Sequence, residues 1–470
     1  MPLDNLPHSL RQGQRLAFAD NSAARAELAS VNDVASMDEH QLAVLKPDLA
    51  STYERKLVAA YPNIFKGSSE YGVQMYKNNG DGTFTDDPVQ LPNNAGSEIL
   101  PILNLNNMVF ADVDNDGDRD LIIGGNGGVV ILKYNHLDGT YSLFKRLEPT
   151  SAGSIQPDTL MVADFEGNGR VGIIAGTYKN TNYYWIQTAK DVWSQKYDLP
   201  GRSDSAWTRS LDIGDVNNDG KIDIVISEDA SSIVLLNSDL GAPFEIHSNP
   251  TAVPNYIGSG ASYISGTKLA DINGDGNLDL VRSLELNVGI EALLGNGDGT
   301  FENPVALVLP GITNEQFVYI DVGDMNNDGN IDVVLVIHHN SEASGVITSV
   351  PQYLYLGNGD GTFRNPTILG YASDRANGVD IADFDGDGKL DAVFSHYDAA
   401  PRLFLGDGDG TFKAYTELPF TPHQDRGHRI AVDFNNLAVS ECSHFDCQIF
   451  SPTKWRKRNS PSLLHTRSTI

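Results

Sequence analysis

The 470-residue chain contains only two cysteines, Cys442 and Cys447, so no disulfide framework holds it together. They enclose His444 and Asp446, but the spacing is poor for zinc, and a disulfide or two free thiols fits it better. No apolar run approaches the length of a membrane span. The first residues, MPLDNLPHSLRQGQRLAFAD, lack the apolar centre of a secretory signal. Basic residues are scarce: 33 Lys and Arg stand against 62 Asp and Glu, a formal charge of −29. Such a surface repels nucleic acid and anionic membranes and excludes both as general partners. Helical periodicity is nearly missing as well.

What the chain does have is repetition. An acidic nonapeptide begins at Asp112 (DVDNDGDRD), Asp164 (DFEGNGRVG), Asp215 (DVNNDGKID), Asp271 (DINGDGNLD), Asp324 (DMNNDGNID) and Asp383 (DFDGDGKLD), and a broken seventh copy begins at Asp433. The intervals of 50–59 residues are those of a propeller or solenoid rather than of several separate domains. A second element, NGDGTF or a close variant, recurs at 79–84, 296–301, 358–363 and 406–412. Gly-Asp-Gly between apolar runs is hairpin-turn chemistry, because both residue types tolerate positive φ. Each repeat reads as strand, acidic loop, strand, variable loop, strand, GDGTF turn, strand. This predicts an all-β, seven-bladed β-propeller of four-stranded antiparallel blades.

The residue before each of the first six loops is small (Ala111, Ala163, Gly214, Ala270, Gly323, Ala382), as expected of an innermost strand crowded around an axis. Residues 71–90 supply the outer half of a blade and 428–440 the inner half, so the two ends of the chain are expected to share one. The expected organisation is a short irregular or helical extension over 1–60, the propeller over 61–450, and a disordered tail over 451–470.

Oxygen-bearing side chains at loop positions 1, 3, 5 and 9, with glycine at 6, point into one concavity. Hard oxygen donors in that number suit Ca²⁺ rather than zinc or copper. Five loops carry the full set: Asp112, Asp114, Asp116 and Asp120; Asp215, Asn217, Asp219 and Asp223; Asp271, Asn273, Asp275 and Asp279; Asp324, Asn326, Asp328 and Asp332; Asp383, Asp385, Asp387 and Asp391. About five calcium sites are therefore expected. The loop at Asp164 has Gly172 in the ninth position and is expected to be weak or empty. The loops are not EF-hands, since position 12 is Ile123, Ile226, Arg282, Leu335 or Phe394 instead of glutamate.

These loops and turns resemble the FG-GAP/VCBS repeat family, which includes the integrin α-subunit propellers and sugar-binding propellers of some fungal lectins. The resemblance covers about 71–440. It implies a calcium-binding propeller working in recognition or cell adhesion, at the cell surface or outside the cell, although no signal peptide is visible. A monomer is expected. Both repeated loops fall on one face of the ring, which leaves the other to variable loops, where binding residues sit on a rigid scaffold. The expected ligand is a glycan or a protein, and candidate contacts are Tyr178, Trp207, His338, Arg375, His396 and Tyr397: aromatic platforms beside polar groups. The alternative is a polysaccharide-lyase-like enzyme using His338, His339 or His396 with Tyr397 as base and acid.

Overall fold

The computed structural model describes residues 63–68, 72–79, 81–87, 103–126, 128–135, 140–147, 157–178, 180–200, 207–229, 231–237, 251–254, 263–284, 289–308, 316–339, 350–372, 376–396, 400–418 and 429–433. The expectations for 1–60, for 451–470 and for the two cysteines lie outside these residues. Among them there is no helix, and therefore none long and apolar enough to cross a membrane.

The described strands form an all-β propeller. Continuous stretches of chain complete six blades, not seven: blade 1 over 103–147, blade 2 over 157–198, blade 3 over 208–252, blade 4 over 264–308, blade 5 over 316–372 and blade 6 over 376–417. Each is an antiparallel meander in chain order. A further four-stranded sheet is composite. Its C-terminal strand, Arg429–Asp433, pairs with Asn63–Ser68, followed by Gly72–Asn78 and Phe84–Asp87. The split is thus one strand from the end of the chain and three from its beginning, not two and two. The strand NIFKGS adjoins no acidic loop or GDGTF turn, so the repeat pattern did not mark it.

The first strands of neighbouring blades pack side by side, from Leu103–Ala111 through Pro157–Ala163, Thr208–Gly214, Ile264–Ala270, Gln316–Gly323 and Ala376–Ala382 to Arg429–Asp433, which returns to Leu103–Ala111. These are the innermost strands. Carboxylates stitch three neighbouring pairs of them together. Asp212 Oδ2 accepts the Leu269 N–H (2.6 Å), and Asp321 Oδ2 accepts the Ile381 N–H (2.9 Å) while its Oδ1 pairs with Lys268 (2.8 Å).

The apolar core lies between consecutive blades. Ile174, Tyr184 and Ile186 of blade 2 pack with Leu211, Ile224 and Leu235 of blade 3, and Val281 and Ile290 of blade 4 pack with Val318, Val333 and Leu335 of blade 5. This seam accounts for the small residues before the loops. A Cβ on Gly214 would stand 2.5 Å from Leu278 Cδ1 of blade 4, and one on Gly323 would stand 2.8 Å from Leu390 Cδ1 of blade 6. The space is taken by the eighth loop residue of the next blade, rather than by crowding at the axis.

Blade 2 departs from the four-strand pattern. Its outer strand is broken into Val192–Trp193 and Tyr197–Asp198, both paired with Tyr183–Ala189.

A polar pair is buried between blades 3 and 4. Arg282 and Glu291 face each other as an ion pair, 0% and 1% exposed, and Arg282 also donates to Ser232 Oγ (3.1 Å) and the Pro254 carbonyl (2.8 Å). Removing one partner strands a charge in a dry seam, which costs about 3–5 kcal/mol, whereas replacing both with apolar groups costs far less. Glu291→Ala should lower the unfolding free energy by that amount and shift the denaturation midpoint down, and Arg282→Met with Glu291→Leu should recover most of it. Equal midpoints for wild type and Glu291→Ala would contradict the assignment.

Candidate functional site

The complete acidic loops share one construction. The first aspartate accepts backbone N–H groups from across the turn: Asp112 from Asp116 (3.1 Å) and Gly117 (3.0 Å), Asp215 from Asp219 (3.0 Å) and Gly220 (2.8 Å), Asp324 from Asp328 (3.0 Å) and Gly329 (2.8 Å). The fifth-position aspartate accepts the N–H of position 7, as from Lys221 to Asp219 (3.0 Å) and from Lys389 to Asp387 (3.0 Å). Glycine at position 6 has positive φ, but so does position 4: Asn115 (58°), Asn218 (61°), Asn327 (56°) and Gly274 (75°). Asparagine and glycine are the residues that enter this region most readily. Their alternation at position 4 was a signal that the carboxylate spacing overshadowed.

The ninth-position aspartate does more than complete a ligand set. Asp120, Asp223, Asp279, Asp332 and Asp391 are almost wholly buried. One oxygen of each accepts the N–H of loop position 2, from Val113, Val216, Ile272, Met325 and Phe384 at 2.7–3.1 Å. The other accepts an N–H at the end of the third strand, from Tyr134, Asn237, Gly295, Gly357 and Gly406 at 2.7–2.9 Å. Each aspartate therefore ties its loop to its own blade. Blade 2 fastens its strand end without one. Gly172 stands in that position, and the Gln187 N–H donates directly to the Val171 carbonyl (3.1 Å).

The loop also locks to the following blade through the carbonyl of position 2. Val113 accepts from Gln187 Nε2 (2.6 Å), Phe165 from Asn237 Nδ2 (2.8 Å), Val216 from the Gly299 N–H (3.0 Å), Ile272 from the Gly361 N–H (3.2 Å) and Phe384 from Asn78 Nδ2 (2.9 Å). Gly299 and Gly361 belong to GDGTF turns. Both repeated elements therefore lie on one face, where the turn of one blade seats on the acidic loop of the blade before.

In two loops three carboxylates offer oxygens within 4.8 Å of one another: Asp112, Asp114 and Asp116, and Asp383, Asp385 and Asp391. The other three complete loops carry an amide at position 3 (Asn217, Asn273, Asn326), so their donor sets mix carboxylate and amide oxygens. Asp114 Oδ1 is buried without a hydrogen bond. An all-oxygen donor set around an orphaned carboxylate oxygen fits a hard divalent cation.

Burial and the neighbouring loop carboxylates push Asp120, Asp223, Asp332 and Asp391 up to about 7, and Asp279 to about 6, against the pull of their backbone hydrogen bonds. A carboxyl whose folded value lies above its unfolded one binds protons more tightly in the native state. Its contribution to stability is thus present at acid pH and lost as pH rises from about 4 through about 7. In chelator, the melting temperature should fall across that interval as pH rises, and added calcium should flatten the slope by replacing the proton as counter-ion. A chelated profile that instead climbs from pH 5 to 7.5 would contradict this.

On the opposite face, where the innermost strands begin, the structure brings together Tyr178 and Trp207. They form an isolated β-bridge, with rings edge to face at 5.0 Å. Three residues that sequence reasoning missed complete the group. The Arg209 guanidinium lies 3.9 Å from the Trp207 ring and 5.0 Å from the Tyr263 ring, and pairs with Asp229 (3.5 Å). Asp229 also accepts the Trp207 N–H (3.3 Å). Arg209 and Asp229 end up adjacent because Arg209 lies in the strand Thr208–Gly214 and Asp229 directly follows its partner Asp223–Glu228, with Thr208 opposite Glu228, a register that no local motif announces.

The other candidates do not join this group. His396 is not in an exposed loop: it ends the strand Asp391–His396, is 1% exposed and pairs with Ala376 in blade 6. His338 and His339 lie in the strand Asp332–His339 of blade 5, opposite Phe317 and Gln316, and the placement of their side chains is outside the described residues. Arg375 and Tyr397 lie wholly outside them.

A propeller whose blades repeat an acidic loop and a GDGTF turn defines a class, and the FG-GAP-like repeat model matches residues 112–175, 164–226, 271–335 and 346–394. The chain therefore carries FG-GAP repeats over these residues. Among curated proteins no sequence matches significantly. Among solved structures it is similar to a lectin of Agrocybe aegerita that specifically recognises non-reducing terminal N-acetylglucosamine, at 19% identity and a TM-score of 0.54, covering 77% of this chain and 90% of the lectin. It is similar to a Lactobacillus plantarum protein at 12% identity and a TM-score of 0.53, covering 79% of this chain and 99% of that one. It also resembles the periplasmic gluconolactonase PpgL of Pseudomonas aeruginosa, at 13% identity and a TM-score of 0.52, with the same coverage of 79% and 99%. At these identities the likeness establishes the propeller fold alone.

Proposed function

We propose that the chain is a calcium-stabilised recognition module that binds a glycan or protein ligand through the face opposite the acidic loops. The observation that carries this reading is the division of labour between the faces. One face repeats the same loop and turn in blade after blade and spends them on holding blades together. The other gathers Tyr178, Trp207 and Tyr263 around Arg209 and Asp229 at the seam of blades 2, 3 and 4. Tyr263 is 39% exposed, so the group presents aromatic surface beside polar side chains, the equipment for a sugar ring or an aromatic-rich peptide. The structurally similar Agrocybe aegerita lectin supports a glycan as the first ligand to try.

In this reading calcium is held by loop positions 1, 3, 5 and 9 and the backbone carbonyl of position 7. It supplies positive charge where each loop gathers carboxylates. The ion binds the folded form preferentially, so each occupied site adds stability by mass action, about 2.7 kcal/mol when free calcium is a hundredfold above the dissociation constant. Net stability of a domain is only about 5–15 kcal/mol, so several such sites decide whether the ring holds. The composite sheet would then close the ring as its seventh blade. No specific observation favours the lyase-like alternative, and the burial of His396 removes one of its candidate groups from the surface.

A glycan array probed in calcium and again in chelator tests the recognition reading. Binding should appear in calcium and weaken for Trp207→Ala at an unchanged melting temperature. If Trp207→Ala unfolds the protein, or binds the same glycans as tightly as wild type, the face assignment is wrong. Asp387→Ala tests the metal reading: it should lower calcium stoichiometry and melting temperature, whereas Asn168→Ala in the second loop should change neither by much.

A further inference from the structure

The first acidic loop differs from the others in what lies against it. At the end of the third strand, the residue before the one that bonds the ninth-position aspartate is leucine in four blades: Leu236, Leu294, Leu356 and Leu405. Each of these leucines meets a turn glycine of the next blade. Cβ atoms built on Gly299, Gly361, Gly410 and Gly82 would lie 2.7–3.3 Å from Leu236, Leu294, Leu356 and Leu405 respectively. Blade 1 has Lys133 in this position. Its stem follows the same path toward blade 2, and its ammonium lies 2.8 Å from Asp114 Oδ2 of the loop and 2.9 Å from Asp191 Oδ1. Asp191 occupies the corresponding turn of blade 2, between Tyr183–Ala189 and Val192–Trp193, with φ of 63°. The ammonium also sits 3.8 Å from the centre of the Phe144 ring.

Other basic groups near the loops are held less well. Lys413 is 3.9 Å from Asp385 and Arg364 is 3.7 Å from Asp328. Lys389 reaches Asp387 at 2.8 Å, but from within its own loop and with no second carboxylate as close. Only Lys133 among these joins a loop carboxylate to the next blade. It places a fixed positive charge on the side of Asp114 away from the orphaned Oδ1.

We propose that Lys133 is a resident counter-ion of the first loop, competing with a divalent cation for Asp114 and making this loop the weakest calcium site of the five. The inference rests on the calcium reading above. Two positive charges at one carboxylate repel, so a cation entering the loop must either displace the ammonium or bind against it. With Lys133 in place, the loop and the seam between blades 1 and 2 hold together without calcium. The second loop, which closes by a backbone bond in place of an aspartate, likewise needs no ion. Calcium dependence is thereby concentrated in blades 3 to 6.

Titration calorimetry with calcium chloride on the full chain tests this, together with melting in chelator. Lys133→Met keeps the apolar stem and removes the charge. It should raise the affinity of the weakest class of sites about tenfold, which corresponds to about 1.4 kcal/mol. In chelator it should melt below wild type, and calcium should abolish the difference. An isotherm and a chelated melting temperature both equal to wild type would overturn the proposal. Should Lys133→Met fail to fold, Asp114→Asn in the wild-type background decides. Loss of only the weakest component of the isotherm supports the proposal, and loss of a tight equivalent overturns it. A wild-type chain that takes up no calcium at all would instead overturn the calcium reading itself, so the two failures are distinct.

Discussion

The ring depends on a buried carboxylate that accepts two backbone N–H groups. In blades 1 and 3 to 6 the ninth loop residue stops the loop from opening by holding its second residue, and stops the sheet from fraying by holding the end of the third strand. In blades 1, 3, 4 and 6 the carbonyl of that same second residue then accepts a donor from the next blade. In those four blades one residue of the loop is thus a joint between its own sheet and its neighbour. Burying an aspartate this deeply is unfavourable unless its charge is compensated, which is the physical case for a proton or a cation at each loop. Shielding one end of the propeller in this way leaves the opposite face free to vary without weakening the seams.

Much of this was legible in the sequence because it repeats. The interval between loops, the alternation of donors at positions 1, 3 and 5, and the GDGTF turns together specify a propeller and the face that holds it together. What the repeat could not supply was anything occurring once. The strand Asn63–Ser68 carries no motif, so the sequence shows that the two ends share a sheet but not how its strands divide between them. Lys133 sits where other blades have leucine, a departure visible only when the third strands are aligned. Arg209, Asp229 and Tyr263 come together through sheet register and blade packing, neither of which a local motif records. His396 stands where a strand meets a variable loop in the sequence, and the register with Ala376 draws it into blade 6.

The small residue before each loop shows how a correct signal can carry the wrong cause. Gly214 and Gly323 are small because a leucine from the next blade's loop needs the space, which makes them part of the seam. Gly172 shows the reverse case. Its loss of the carboxylate reads as erosion, yet the backbone bond from Gln187 to Val171 still fastens the end of the third strand in blade 2.

The account stands on the claim that the complete loops hold calcium at the joints between blades. Anomalous diffraction from crystals grown in calcium chloride tests it most directly. The account predicts peaks against the loops that begin at Asp215, Asp271, Asp324 and Asp383, a weaker one at Asp112, and none at Asp164. A map without anomalous peaks at any of these loops would contradict it.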